Sequence, residues 1–315
     1  MLSGIVGVEI SMPAQRVAVA DYLEELAASA PQSLLAKDGA IAQFVRESGQ
    51  SEFFVGDGAE PDTHLCELAR SVLARFDVAA HDVGLVIYGA SDIRGRRYEP
   101  VHRVAHELGI GCAELMYMFV GCSTGLTVCD YAVRWLSRSA KSHALVLVPH
   151  FVRDNESRFM GFSVQGDGAA VVLIAREGAR YLWRGFSTQC RPEWYGYGLD
   201  MDVGADALQV VGVGASNLLG FLAQAHVAPS DVALYLPINT NLGMCRAYSM
   251  FLRIPPPSLF TENIASGGHI GGVDVLRNLA TLDSRGVTQV GEKLVMFTQA
   301  IGMSYHAALL EVASG

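Results

Sequence analysis

None of the six cysteines pairs with another as C-x-x-C, so neither a zinc ribbon nor a disulfide framework is expected. No apolar run reaches the length of about 18 residues that a membrane-crossing helix needs. The first residues, M-L-S-G-I-V-G-V-E-I-S-M-P, lack a basic segment and read as a strand rather than a signal peptide. Together these absences favour a reducing, cytoplasmic setting. Positive charge is scarce as well: 23 Lys and Arg against 32 Asp and Glu leave a formal charge of −9. That balance excludes a nucleic-acid partner in general terms, because phosphates demand basic surface. There is no P-loop, no G-x-G-x-x-G following a strand, and no paired metal-ligand spacing. His102 and His106 share a helical face, but without a third ligand or a nearby acid they read as surface residues.

What is present is a chain of 315 residues, 50% of them apolar, ample for a large buried core. Runs rich in β-branched residues alternate with helical patterns, as α/β layers require. Strands are expected at Gly84–Ala90, Ala144–Val148, Ala169–Ile174, Val232–Leu236 and Leu294–Phe297. Helices are expected at Thr63–Phe76, Thr124–Ser137, Ala207–Ala225 and Val273–Leu282. The proline cluster Pro255–Pro257 reads as a loop.

The chain also repeats itself at long period. In A-R-F-D-V-A-A-H-D-V-G-L-V-I-Y (74–88) and A-Q-A-H-V-A-P-S-D-V-A-L-Y-L-P (223–237), Val78-Ala79 matches Val227-Ala228, Asp82-Val83 matches Asp231-Val232 and Leu85 matches Leu234. Two half-chains of similar fold, 1–175 and 176–315, follow from this. The same offset sets V-G-C-S-T-G-L (120–126) almost opposite G-G-H-I-G-G-V (267–273). Each is a glycine-bordered turn opening a helix, so Cys122 and His269 become neighbours if the halves face each other across an axis.

A thiol at a helix start feels the positive end of the dipole, and small flanking residues let a carbonyl approach backbone N–H groups. A Cys/His pair is the minimal set for thioester exchange. The blander alternatives are a buried structural cysteine and a satisfied turn histidine. Cys66, Cys112, Cys129, Cys190 and Cys245 lack a comparable setting. Gly166-Asp167-Gly168 before a strand is by itself a common turn.

Taken in order, I-V-G-V-E-I-S-M-P, D-V-G-L-V-I-Y-G-A-S, G-C-S-T-G-L, G-D-G-A-A-V-V-L and the closing G-V-T-Q-V-G-E-K-L-V-M-F-T-Q-A-I-G-M-S-Y-H-A-A-L-L-E-V resemble the β-ketoacyl-ACP synthase III enzymes of the thiolase superfamily. The resemblance implies an α/β thiolase-like fold: two pseudo-symmetric βαβαβαββ halves forming a five-layer αβαβα sandwich. It also implies a homodimer joined through the strand near residues 84–90, with R-G-R-R (94–97) in the dimer loop. Cys122 is then the nucleophile. The family's catalytic His stands in P-H-Q-A-N; here the stretch is L-P-I-N-T-N, which puts Ile238 in its place. The family's Asn aligns with His269.

Ordinary synthases use that His and Asn to stabilise the enolate of malonyl decarboxylation. Losing one such donor costs about 2.7–4 kcal/mol of barrier, so a lone imidazole beside Cys122 fits activation of an acceptor better. The resemblance thus implies an acyltransferase of natural-product (polyketide or fatty-acid-like) biosynthesis, or else a C–C bond-forming condensing enzyme. No acid stands in Lys293–Leu310, so a Cys122–His269 dyad is expected. Polar or oxyanion support is expected from Asn239, Asn241, Asn263, Ile301, Gly302 and Ser304. No cofactor is expected beyond the acyl-ACP or acyl-CoA substrate, and the acceptor is a small molecule. The CoA-binding W-x-V-x-R-T-G-I is replaced by Q-F-V-R-E-S-G-Q, with Phe44 near the Trp and Glu47 near the Arg, which favours a carrier protein docking at Arg246 and Arg253. Phe151 and Met160 are candidate pocket residues.

Overall fold

The apolar runs become the inner strands of one large sheet. The computed structural model describes residues 3–30, 32–56, 61–91, 99–194, 203–300 and 303–314. In chain order the elements are β1 (Gly4–Ser11), β2 (Gln15–Ala18), α1 (Val19–Ser29), α2 (Ala40–Ser48), β3 (Glu52–Val55), α3 (Pro61–Arg75), β4 (Val83–Ala90), α4 (Glu99–Glu107), β5 (Glu114–Phe119), α5 (Thr124–Leu136), β6 (His143–His150) and β7 (Gly168–Ala175). They continue with β8 (Tyr181–Cys190), α6 (Val203–Gln224), β9 (Val232–Pro237), α7 (Leu242–Leu252), β10 (Ser266–Gly267), α8 (Val273–Arg285), β11 (Lys293–Ala300) and β12 (Ser304–Val312). No helix among the described residues is long and apolar enough to cross a membrane.

The large sheet runs β5-β4-β6-β7-β1-β8-β12-β11-β9. From the first edge inward, β5, β4 and β6 are parallel and β7 and β1 antiparallel. From the other, β9 and β11 are parallel and β12 and β8 antiparallel, and Leu259 bridges Tyr235 of β9 where β5 sits beside β4. The two halves therefore share one topology. Within the large sheet β1 meets β8 at Gly4 with Leu182 and Ile5 with Tyr181. A second sheet, β10-β3-β2, lies against the loop that carries His269.

Helices α5 and α8 form the middle layer, each touching strands of both halves, while α3 and α4 cover one outer face and α6 and α7 the other. Strands covered on both faces need no polar alternation, and β4 and β7 are buried at every residue. The middle layer is the main core, in which Leu126, Val128, Leu136, Val275, Leu276 and Leu279 are fully buried.

The sequence repeat has a backbone counterpart. Asp77 and His226, each just before the matched Val-Ala, both adopt left-handed φ, 52° and 55°. A short 3₁₀ turn then leads into β4 in one half and β9 in the other. One expectation is corrected. The strand near 84–90 is β4, hydrogen-bonded on both sides by β5 and β6, so it has no free edge to offer a second copy. The outer strand is β5. The R-G-R-R stretch, 94–97, lies outside the described residues.

Candidate active site

Cys122 occupies a single 3₁₀ turn, Gly121–Ser123, between β5 and α5. The turn is possible because Gly121 takes φ 54°. Thr124 ties it down: its hydroxyl lies 2.8 Å from the Gly121 carbonyl and accepts from the Val120 N–H at 2.9 Å. Cys122 itself is half-buried.

His269 is fixed by its own backbone. Its N–H donates to the Val164 carbonyl at 2.8 Å, and its carbonyl accepts from Gly166 N–H at 3.0 Å. Gly268 makes this register possible, since its φ is 67° and a Cβ there would lie 2.7 Å from the Val164 oxygen. Four residues later α8 begins.

The starts of α5 and α8 pack backbone to backbone at Gly125 and Gly272. That approach brings His269 Nε2 to 3.2 Å from Cys122 Sγ, across 147 residues of sequence. The structure thus brings together the two residues that the half-chain repeat paired.

The expected dyad is corrected to a line of three. His269 Nδ1 lies 2.6 Å from Asp274 Oδ2, and both side chains are fully buried. Asp274 is the second residue of α8, well before the acid-free Lys293–Leu310 segment. Its Oδ1 accepts from Ile270 N–H at 2.9 Å and its Oδ2 from Asn239 N–H at 2.9 Å. A buried carboxylate is tolerable only when its lone pairs are satisfied, and these are. Burial alone would push the His269 imidazole down. The charges of Cys122 and Asp274 and the hydrogen bonds to both outweigh burial and carry it up to about 10.

Behind the carboxylate lies an amide cluster. Asn239 and Asn278 exchange side-chain hydrogen bonds at 3.1 and 3.0 Å, Asn278 also donates to the Pro237 carbonyl at 2.9 Å, and Asn263 donates to Asn278 at 3.0 Å. Asn239 thus touches the carboxylate directly through its backbone N–H, and both Asn239 and Asn263 hydrogen-bond Asn278, a residue that the sequence reading missed. Its only signal is the four-residue spacing from Asp274, which puts both on one helical face.

Asn241 is corrected: its oxygen caps α7 by accepting from Gly243 and Met244 N–H, and its amide donates to the Phe162 carbonyl, so it is fully engaged elsewhere. Ile238 is buried, its N–H given to Phe297. Ser304 is half-buried at the start of β12, and Ile301 and Gly302 lie outside the described residues. His150, at the end of β6, places a second imidazole 6.2 Å from the His269 ring centre. Burial raises the Cys129 thiol, and the Cys245 thiol to about 12, which keeps both protonated.

Asp167 of the G-D-G turn is structural, paired with buried Arg158 at 2.8 Å and accepting from Gly56 and Val152 N–H. Phe151 lines an outer cleft of about 630 Å³ with Tyr22, Arg153 and Asp167, a cleft that Cys122 and His269 do not line. Met160 instead bonds back to Ser163. His102 and His106 are exposed on α4, and the described residues hold no cluster fit to bind a metal.

A thiol and an imidazole at the facing starts of two central helices, in two halves of one topology, define a thiolase fold of the β-ketoacyl synthase III kind. Residues 222–312 match the family model described as 3-oxoacyl-[acyl-carrier-protein (ACP)] synthase III C terminal. The 3-oxoacyl-[acyl-carrier-protein] synthase III of Aquifex aeolicus superposes with a TM-score of 0.83 at 18% identity, over 98% of this chain and 99% of that one. ChlB3, given as an acyltransferase, superposes with a TM-score of 0.81 at 17% identity, over 100% and 98%. A variant of OleA from Xanthomonas campestris, with bound lauric acid and lauroyl-CoA, gives 0.83 at 15% identity, over 99% of each chain. Compared by sequence with curated proteins, the chain matches none. The chain thus shares the fold of these proteins.

Proposed function

We propose that this chain is a thioester-dependent acyltransferase of natural-product biosynthesis. Cys122 takes the acyl group and His269, oriented by Asp274, activates the acceptor. The observation that carries the reading is the unbroken line Cys122–His269–Asp274, at 3.2 and 2.6 Å. The sequence resemblance adds that buried, apolar Ile238 replaces the synthases' second donor.

The chemistry runs in two halves. Sγ attacks the thioester carbonyl, the carbon–sulfur bond to the carrier breaks, and the proton held by His269 Nε2 passes to the leaving thiol. Acylation ties up Sγ, whose influence is the strongest of those holding the imidazole up, and so frees His269 to act as a base. It then takes the proton of the acceptor's O–H, N–H or S–H as that atom attacks the acyl carbon. Sγ leaves, and the acceptor's proton stays on Nε2, which restores the starting pair. Asp274 Oδ2 accepts the Nδ1–H throughout, so Nε2 always faces the reaction.

Arg246, in the middle of α7, and Arg253, at its C-cap, are exposed and stand in sequence on either side of exposed Met250 and Phe251. An acidic carrier protein with an apolar rim suits such a surface. OleA's lauroyl-CoA makes CoA the alternative donor to test.

The test is intact-mass trapping against a panel of acyl-ACP and acyl-CoA thioesters. Wild type should gain one acyl mass and Cys122→Ala none. The synthase fold also keeps a condensing reaction in view. Release of CO₂ from malonyl-ACP by the acylated enzyme would favour condensation over transfer.

A further inference from the structure

Two side chains with no part in this scheme hold the nucleophile turn from the other half of the chain. Thr298 on β11 and His306 on β12 are direct cross-strand partners, so both leave the hairpin on one face. Thr298 Oγ1 donates to Ser123 Oγ at 2.8 Å. His306 Nδ1 lies 3.1 Å from Thr127 Oγ1, whose hydroxyl donates to the Ser123 carbonyl at 3.0 Å. A threonine has one hydroxyl hydrogen, and Thr127 gives it to Ser123. It can therefore only accept from His306, which makes Nδ1 the protonated nitrogen and leaves Nε2 bare. Ser123 follows Cys122 directly, and the hairpin thus holds its hydroxyl directly and its carbonyl through Thr127.

This is more than space filling. His306 is 4% exposed and its Nε2 has no hydrogen-bond partner among the described residues. A bare buried acceptor is a cost that a leucine in the same space would avoid. Burial pushes the imidazole down to about 4, so the Nδ1–H donor persists through neutral pH. The turn it holds is short and begins at a left-handed glycine. A small rotation about Gly121 would swing Sγ away from its 3.2 Å contact with His269.

We propose that the Thr298–His306 pair is a clamp that sets the orientation of the nucleophile turn, making both of them positioning residues for acylation of Cys122. The inference rests on the reading of Cys122 as nucleophile. It predicts a loss confined to the first half-reaction, because neither residue touches His269 or Asp274 in any hydrogen bond described above.

The experiment is single-turnover acylation followed by quenched intact mass, for His306→Leu, His306→Asn and Thr298→Val, with crystal structures of the variants. His306→Leu and Thr298→Val should each slow acylation between about tenfold and a hundredfold, the range that a misplacement of about 1 Å brings. The Sγ–Nε2 separation should lengthen in both. His306→Asn, whose amide nitrogen can stand where Nδ1 does, should recover most of the rate, and transfer from preformed acyl-enzyme should be unaffected. Wild-type acylation rates with an unchanged separation in the Leu and Val variants would overturn the clamp. So would an Asn variant as slow as the Leu variant. If wild type accepts no thioester at all, the acyltransferase reading fails, and the separation in the variant crystals still decides the clamp.

Discussion

Gly125, in the first turn of α5, and Gly272, just before α8, meet with no side chain between them. A Cβ on Gly272 would lie 2.6 Å from the Gly125 nitrogen, and one on Gly125 would run into the Gly272 carbonyl. The two helix starts can approach only because neither residue carries a methyl group. That approach is what places Cys122 against His269. Gly125→Ala or Gly272→Ala should destabilise the fold by about 1–3 kcal/mol, the usual cost of overpacking a tight core. Each should also slow acylation at least as much as it lowers stability. Denaturant melts beside mass-detected acylation check this, and an alanine variant with wild-type values in both would break the link between helix approach and site geometry.

Asp274→Asn should be severe. Both carboxylate oxygens accept a backbone N–H, from Ile270 and from Asn239. Either orientation of an amide therefore sets its NH₂ against a donor. The variant should lose about 1–3 kcal/mol of stability and, by disturbing the His269 tautomer, roughly 10²- to 10⁴-fold in transfer. Acyl-enzyme should accumulate in it. Rapid turnover without accumulation would show that Asp274 has no part in orienting the base.

The two buried imidazoles give opposite pH dependences. His269 sits above its ordinary 6.5, at about 10, so the stability it adds is full below about 6.5 and lost as pH rises through about 10. His306 sits below, at about 4, so its contribution is present above about 6.5 and lost as pH falls towards about 4. At 1.36 kcal/mol per unit the His306 effect amounts to about 3 kcal/mol between pH 7 and 4. Urea titrations of wild type and His306→Leu across that range should show wild type losing this amount relative to the leucine variant as pH falls. Parallel curves would place the His306 value near its ordinary one.

Donor choice is tested at α7. Arg246→Glu with Arg253→Glu should raise KM for carrier-linked acyl donors about tenfold or more, through reversed local charge. The same donor on free pantetheine should be handled as before. An equal change for both donors would remove these arginines from carrier recognition.

Much of this was legible in the residue pattern, for identifiable reasons. The strands announced themselves because a sheet covered on both faces needs unbroken apolar runs such as A-A-V-V-L-I. The half-chain repeat paired Cys122 with His269 because symmetric helix starts share an axis. Asp274 stayed hidden in plain view. An acid in the first turn of a helix ordinarily answers the helix dipole, and nothing in V-D-V-L says that this one turns towards the preceding loop. Asn241 misled for the opposite reason: its position after a strand is equally that of an N-cap, and the cap is what it forms. The free edge of the sheet depended on strand order, which no local stretch encodes.

The most direct test of the relocated base is the fate of acyl-enzyme in His269→Ala. Wild type and variant are loaded from a thioester donor, freed of excess donor, and chased with a panel of alcohol, amine and thiol acceptors while acyl mass on Cys122 is followed. Wild type should discharge to at least one acceptor class. His269→Ala should load slowly and then keep its acyl group. Discharge of the alanine variant at the wild-type rate would contradict His269 as the base that activates the acceptor.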